Sequence, residues 1–321
     1  MQAFTDVIGQ NGPKKQLSSA LLGKRHVIII GPPGVGKTTL AKNVAKLLPV
    51  ANLMNCEYHC HPDQPVCPHC LTKKSQPAAI PGKDRFVRVQ GSPDLTVEDL
   101  LGDIDPSKAL QYGPTSVEAF TPGKIFKANQ GVLFFDELNR CPEKLQNALL
   151  QVLEEGHATL GSHDVGIPAN FIFIGTMNPE ETAATEKLSD VFLDRFDVIK
   201  LSWPDELQEE LSIVHEHAQT FAPFPDKLLE ATINFVRSLR DHKDLIKHPS
   251  VRASIGLYER ASAHAKLHDR SVQPKDVGAV LASVLAHRIE LRPSSQTTPE
   301  EFLEKAFEDF AQTPELSGEG L

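Results

Sequence analysis

GPPGVGKTT, residues 31–39, is the stretch whose reading decides the fold. An apolar, β-branched run (Val27, Ile28, Ile29, Ile30) precedes it and reads as a buried strand. Leu40, Val44, Leu47 and Leu48 follow it at helical spacing. Strand, glycine-rich loop and helix, in that order, form the context a phosphate-binding loop requires. Gly31, Gly34 and Gly36 let the backbone bend back and aim several N–H groups at one anion. The helix start adds the positive end of its dipole. Lys37 can reach the β- and γ-phosphates, and the Thr38 hydroxyl can ligate Mg²⁺. The candidate nucleotide contacts are therefore Gly31, Pro32, Pro33, Gly34, Val35, Gly36, Lys37, Thr38 and Thr39. The plain alternative is a Gly/Pro-rich turn with an incidental lysine.

A chain of 321 residues has room for two domains. Its net charge of −9 supplies no global basic field for nucleic acid. The opening, MQAFTDVIGQ, lacks the basic-then-apolar pattern of a signal peptide. Apolar runs stay well short of the roughly 20 residues a membrane helix needs. A cytoplasmic protein is the resulting expectation. Four of the five cysteines fall within 15 residues, which points to a metal rather than a disulfide framework.

Upstream of the loop, VIGQ (7–10) leads into a short helix pattern, and Ile8 is a candidate contact to the adenine or a plain packing residue. Downstream, the loop's helix ends near Pro49, and the next strand is expected at 86–89. Between them the sequence reads as a Pro-rich, irregular insert. It carries Cys56, Cys60, Cys67 and Cys70 in the pattern C-x3-C-x6-C-x2-C, with His59, His61 and His69 interleaved. Paired short spacings suit tetrahedral Zn²⁺, because each pair sits on a turn and the thiolates converge. A structural Zn²⁺ would order so long a loop; unliganded thiols and an iron–sulfur cluster are the alternatives. Asp94, Glu98 and Asp99 read as helix caps, and 111–120 as an exposed loop or hairpin.

GVLFFDELNR (131–140) is the second decisive stretch. Its apolar strand ends in Asp136 and Glu137, and strand carboxyl ends open onto the ligand crevice of an α/β sheet. Asp136 can hold Mg²⁺ through a bound water, and Glu137 can orient and deprotonate the attacking water. A core helix follows at 143–154, then a hairpin turning near His163–Asp164. Asn178 closes a further buried strand (171–175), where an amide can position water, although Asn-Pro is also a good turn. Arg195 follows an apolar stretch, and one more strand spans 198–201. After Asp205 the pattern is helical only. Ser250 reads as an N-cap with Arg252 in the first turn, where a cation opposes the dipole unless an anion lies near.

VIGQ, the loop, DELNR, GTMNP, LDRFD and PSVRAS, in that order, resemble the AAA+ ATPases of the MoxR and magnesium-chelatase I-subunit branch. The resemblance runs over nearly the whole chain. It implies an α/β fold: a P-loop parallel sheet flanked by helices, followed by an all-α lid. The domains would be 1–204, with a Cys-rich insert at about 52–82, then a lid at 205–292 and a tail at 293–321 carrying one short amphipathic helix. By the same resemblance ATP and Mg²⁺ are the cofactors and Asn178 is sensor 1. Arg195 is the arginine finger that reaches a neighbour's nucleotide, and Arg252 is sensor 2. Such a finger implies self-association into a ring, usually of six. Residues 111–120 resemble the helix-2 insert of this clade, and 157–168 its pre-sensor hairpin. DELNR and the AHRI ending look like MoxR; the cysteine insert, GDIDPSKAL and FTPGKIFKANQGVLFFDE look more like chelatase subunits. The implied activity is ATP-driven remodelling of a von Willebrand A-domain partner, as in metal insertion into a tetrapyrrole. A MoxR-like chaperone ATPase is the alternative, and a nucleic-acid motor is disfavoured by the acidic balance.

Overall fold

Strand β1 (His26–Ile30) is the centre of the architecture. Val27, Ile28 and Ile29 are fully buried, as expected for a parallel strand covered on both faces. In the computed structural model, residues 4–71, 75–114, 116–160, 163–179 and 188–311 are described. They divide into two units: residues up to 31 together with 36–201, and residues 32–35 together with those from 202 onward.

In the first unit β1 joins β2 (Phe86–Gln90), β3 (Val132–Asp136), β4 (Ile172–Met177) and β5 (Phe196–Lys200). The sheet order is β5-β1-β4-β3-β2, and all four pairings are parallel. All five carboxyl ends therefore share one edge, and the order places the end of β1 next to that of β4, and β4 next to β3. Helices α1 (Asn11–Leu22), α2 (Lys37–Leu47) and α3 (Glu143–Glu155) bury Leu17, Leu40, Val44, Leu145 and Leu149. Helices on such a sheet make an α/β fold of the nucleotide-binding kind.

The cysteine insert is more regular than its sequence suggests. Ala51–Met54 pairs antiparallel with Pro77–Ile80, which brings the two ends of the insert together. Asn129, 3% exposed, ties it to the body: its Nδ2 donates to Tyr58 O at 2.8 Å, and its Oδ1 accepts from Asn170 N at 3.0 Å. Thr96 and Asp99 form a reciprocal capping box, the cap role expected of that acid. Gly102–Ile104 pairs with Phe120–Pro122, and the helix Pro106–Tyr112 between them buries none of its residues. The 157–168 hairpin pairs His157–Leu160 with His163–Pro168, with Leu160 opposite His163; residues 161 and 162, between the two strands, lie outside the described residues.

The second unit packs α4 (Leu207–His217), α5 (Asp226–Arg240), α6 (Val251–Lys266), α7 (Pro274–Leu285) and α8 (Pro299–Ala311). Leu303 on α8 is fully buried, and Phe307 meets Phe235 of α5 edge to face at 5.4 Å between ring centres. The helices-only expectation needs one correction: Leu245–Lys247 pairs with Glu290–Leu291. Two- and three-residue strands are too short to leave a period in the sequence. Glu210 on α4 is fully buried and accepts both Nη groups of Arg240 at 2.7 and 2.8 Å, and the Ser254 hydroxyl at 2.6 Å. That paired charge locks α4, α5 and the start of α6 to one another, because an unpaired buried carboxylate would be strongly unfavourable. Among the described residues no helix is long and apolar enough to cross a membrane.

Candidate functional site

The loop 31–36 connects the carboxyl end of β1 to α2, and the expected glycine geometry is present. Gly34 and Gly36 have φ of +75° and +89°, values a residue with a side chain rarely adopts. Gly36 is the N-cap of α2 and offers no side-chain cap to the first-turn N–H groups. A Cβ at Gly36 would meet nothing within 4 Å, so the space in front of the helix start is open. The Lys37 ammonium folds back to donate to Gly31 O at 2.5 Å, and Gly31 N donates to Met177 O at 3.2 Å. Pro32, Pro33 and Val35 complete the loop, and Thr38 and Thr39 stand in the first turn of α2. Amides at a helix start, one lysine and a threonine hydroxyl fit the phosphates of a nucleotide. Ile8 is half-buried near the amino terminus.

Asp136 ends β3, and Glu137 follows it with φ 55° and ψ 51°, the left-handed region. A non-glycine residue there costs about 1 kcal/mol or more, and such strain clusters at functional positions. Thr176 of β4, 1% exposed, braces both acids. Its hydroxyl donates to Asp136 Oδ1 at 2.6 Å and accepts Glu137 N–H at 3.0 Å. Strand β2 adds two further contacts. Arg88 Nη2 donates to Asp136 Oδ2 at 2.7 Å, and Gln90 Nε2 donates to Glu137 Oε2 at 2.8 Å. Arg140 Nε lies 3.2 Å from the same Glu137 oxygen. Asn178 follows β4 directly and is half-buried. Hard oxygen donors from Asp136 and Thr38 suit Mg²⁺.

Sequence reasoning missed Arg88, Gln90, Arg140 and Thr176. Alternation along β2 could have flagged the first two: Arg88 and Gln90 are polar residues two apart, so they share a face.

Two arginines remain to be placed, Arg195 in the first unit and Arg252 in the second. Arg195 immediately precedes β5, so it lies at the amino edge of the sheet, a five-residue strand away from the edge that carries the loop. That strand is about 16 Å long. Arg195 Nη1 donates to Val191 O at 2.7 Å, and its Nη2 pairs with Glu154. Arg252 is exposed on the first turn of α6. Ser250 occupies the N-cap position there but makes no side-chain cap bond. Within the second unit, which includes 32–35, a Cβ at Gly34 would meet Ser250 Oγ at 2.9 Å and Arg252 Cγ at 3.4 Å.

The four cysteine sulfurs of the insert lie within 4.8 Å of one another, with Cys60, Cys67 and Cys70 buried and Cys56 half-buried. A tetrahedral ion with Zn–S near 2.3 Å needs sulfurs about 3.8 Å apart. The cluster thus suits one ion better than a multi-iron core, which would hold its thiolates farther apart. The hydrogen bond between Cys56 and Cys60 draws the Cys60 thiol below the usual cysteine range and pushes Cys56 above it, and burial pushes Cys67 up as well. A cavity of about 420 Å³ lies elsewhere in the first unit, at the amino edge of the sheet beside His26, Gln130 and Asn170. Burial pushes the His26 ring below the usual histidine range, and its Nδ1 accepts Phe173 N–H at 3.1 Å.

Three family models match the chain. Residues 3–59 match "Magnesium chelatase, subunit ChlI", 69–198 match "ATPase family associated with various cellular activities (AAA)", and 246–306 match "AAA lid domain". The magnesium-chelatase subunit ChlI homolog of Methanocaldococcus jannaschii is 27% identical over 96% of this chain and 91% of its own length. The magnesium-chelatase 38 kDa subunit of Acidiphilium rubrum is 27% identical over 94% of this chain and 95% of its own. Among solved structures, a chain from the complex between subunits BchI and BchD of magnesium chelatase superposes with a TM-score of 0.52 at 22% identity. That match covers 94% of this chain and 98% of that one. The loop after β1, the paired acids after β3 and the matches along the chain lead to one assignment: the protein belongs to the AAA+ ATPases of the magnesium-chelatase subunit I and MoxR-like type.

Proposed function

We propose that the chain is the ATP-hydrolysing motor of a ring, of the magnesium-chelatase I-subunit kind, that remodels a partner with a von Willebrand A-type domain. In this reading 1–204 is the nucleotide-binding domain, with the cysteine insert at about 52–82, 205–292 is the lid and 293–321 the tail. The backbone N–H groups of 34–38 and the Lys37 ammonium hold the phosphates. Asp136 and Thr38 hold the ion. Bound Mg²⁺ supplies a Lewis acid that offsets charge on the phosphoryl oxygens. Glu137 accepts the proton of the attacking water, and Asn178 orients that water. Arg252 offsets phosphate charge from the lid.

The observation that carries the ring is the position of Arg195, one strand length from its own phosphate loop. From there a guanidinium serves a triphosphate only on a neighbouring copy, where it is worth roughly 10³- to 10⁵-fold in rate. The Cys56, Cys60, Cys67 and Cys70 cluster holds one structural Zn²⁺ in this reading, with no part in hydrolysis.

The test is ATP turnover per chain against protein concentration, for wild type and Arg195→Ala. Turnover per chain should rise with concentration as rings form, and the variant should bind ATP yet stay inactive. Full activity of the wild type as a dilute monomer would refute the reading. Adding the A-domain protein and following metal insertion into a porphyrin separates a chelatase motor from a MoxR-like chaperone, for which turnover rises without insertion.

A further inference from the structure

Arg88 stands where a metal would be expected to act. Its Nη2 lies 2.7 Å from Asp136 Oδ2, and it also donates to Gln90 Oε1 at 3.1 Å. Each Asp136 oxygen already has a partner: Thr176 donates to Oδ1 at 2.6 Å, and Arg88 donates to Oδ2. The carboxylate side chain is only 15% exposed, whereas the Arg88 side chain is 52% exposed and has open solvent into which it can withdraw. A cation reaching Oδ2 therefore meets the guanidinium charge on the same oxygen and favours its withdrawal.

We infer that Arg88 is a tethered counter-cation for Asp136, competing with the divalent ion and lowering its affinity for the nucleotide-bound protein. This rests on the reading of Asp136 as the Mg²⁺ ligand. Without metal, the guanidinium neutralises the acid and holds it in place. On metal arrival the ion pair opens and Arg88 moves off toward solvent. The second hydrogen bond, to Gln90, reaches the side chain that holds Glu137 Oε2, so release of Arg88 also frees one restraint on the second acid.

Competition has a signature that a merely structural arginine lacks. The factor by which the pair stabilises the metal-free protein equals the factor by which it weakens metal binding. A partly exposed pair of this kind corresponds to about a two- to five-fold change.

The measurement is the affinity of the protein–ADP complex for Mn²⁺, read from the free-Mn²⁺ electron paramagnetic resonance signal, with no turnover involved. Wild type, Arg88→Gln, Arg88→Lys and Asp136→Asn are compared. Arg88→Gln should bind Mn²⁺ about two- to five-fold more tightly than wild type, and Arg88→Lys should stay close to wild type. The Arg88→Gln variant should melt earlier than wild type without metal, and the gap should close at saturating Mn²⁺ and ADP. Mn²⁺ binding that is unchanged or weaker in Arg88→Gln, with Asp136→Asn clearly impaired, would overturn the inference and leave the metal reading standing. Equal Mn²⁺ binding by wild type and Asp136→Asn would overturn the metal reading itself.

Discussion

Replacing Thr176 with valine tests the brace under the two acids with almost no change of shape. Thr176 is 1% exposed, and its hydroxyl donates to Asp136 Oδ1 at 2.6 Å and accepts Glu137 N–H at 3.0 Å. A hydrogen bond to an ionised carboxylate contributes about 1.5–3 kcal/mol, and a buried N–H left without an acceptor costs about 1–3 kcal/mol. The second loss falls on a residue already held at φ 55°, so the left-handed turn at Glu137 loses the bond that keeps it there. Together the two losses amount to about 3–5 kcal/mol. A thermal melt followed by circular dichroism should fall by about 10 °C. ATP turnover should fall by about ten-fold or more if Glu137 orients the water as proposed, because that acid is no longer aimed. A Thr176→Val protein that melts within about 2 °C of wild type and turns over ATP at the wild-type rate would refute this reasoning.

Two further outcomes are expected. Purified protein should carry about one zinc per chain, and Cys67→Ser should lose it and unfold the insert; a metal-free protein with undiminished stability would exclude the site. In the lid, the Arg270 guanidinium holds the buried Asp276 carboxyl well below the usual carboxylate range, helped by the Gln273 amide and His264. A depressed acid contributes stability above its unfolded value and loses it as the pH falls, so Asp276→Asn should be markedly less stable than wild type at pH 7. That gap should narrow below about pH 4; a pH-independent gap would refute the role given to the charge.

The phosphate loop is legible in the sequence because its chemistry is local. Glycines, lysine and threonine lie within nine residues, between a buried strand and an amphipathic helix. Asp136 and Glu137 are legible for the same reason, since four apolar residues announce the strand that presents them. Arg88 and Gln90 are not, because their partners lie 48 and 47 positions away and meet them only through the parallel pairing of β2 with β3. The paired ends of the insert escaped for a similar reason. Ala51–Met54 and Pro77–Ile80 are four residues each, one begins with proline, and only their pairing makes them strands. Glu210 looks like one acid on a polar helix face, yet it is the buried hub of the lid, because Arg240 and Ser254 reach it from other helices. Cysteine spacing, by contrast, carries its geometry with it, and the four sulfurs converge as the pattern anticipates.

In the proposed mechanism Glu137 takes a proton from water beside a nucleotide held at 31–39. ATP binding and ATP turnover measured side by side in Glu137→Gln test that most directly. The variant should bind ATP as wild type does while turnover falls by about 10²- to 10⁴-fold. Wild-type turnover in Glu137→Gln, or failure of the wild type to bind ATP at all, would contradict it.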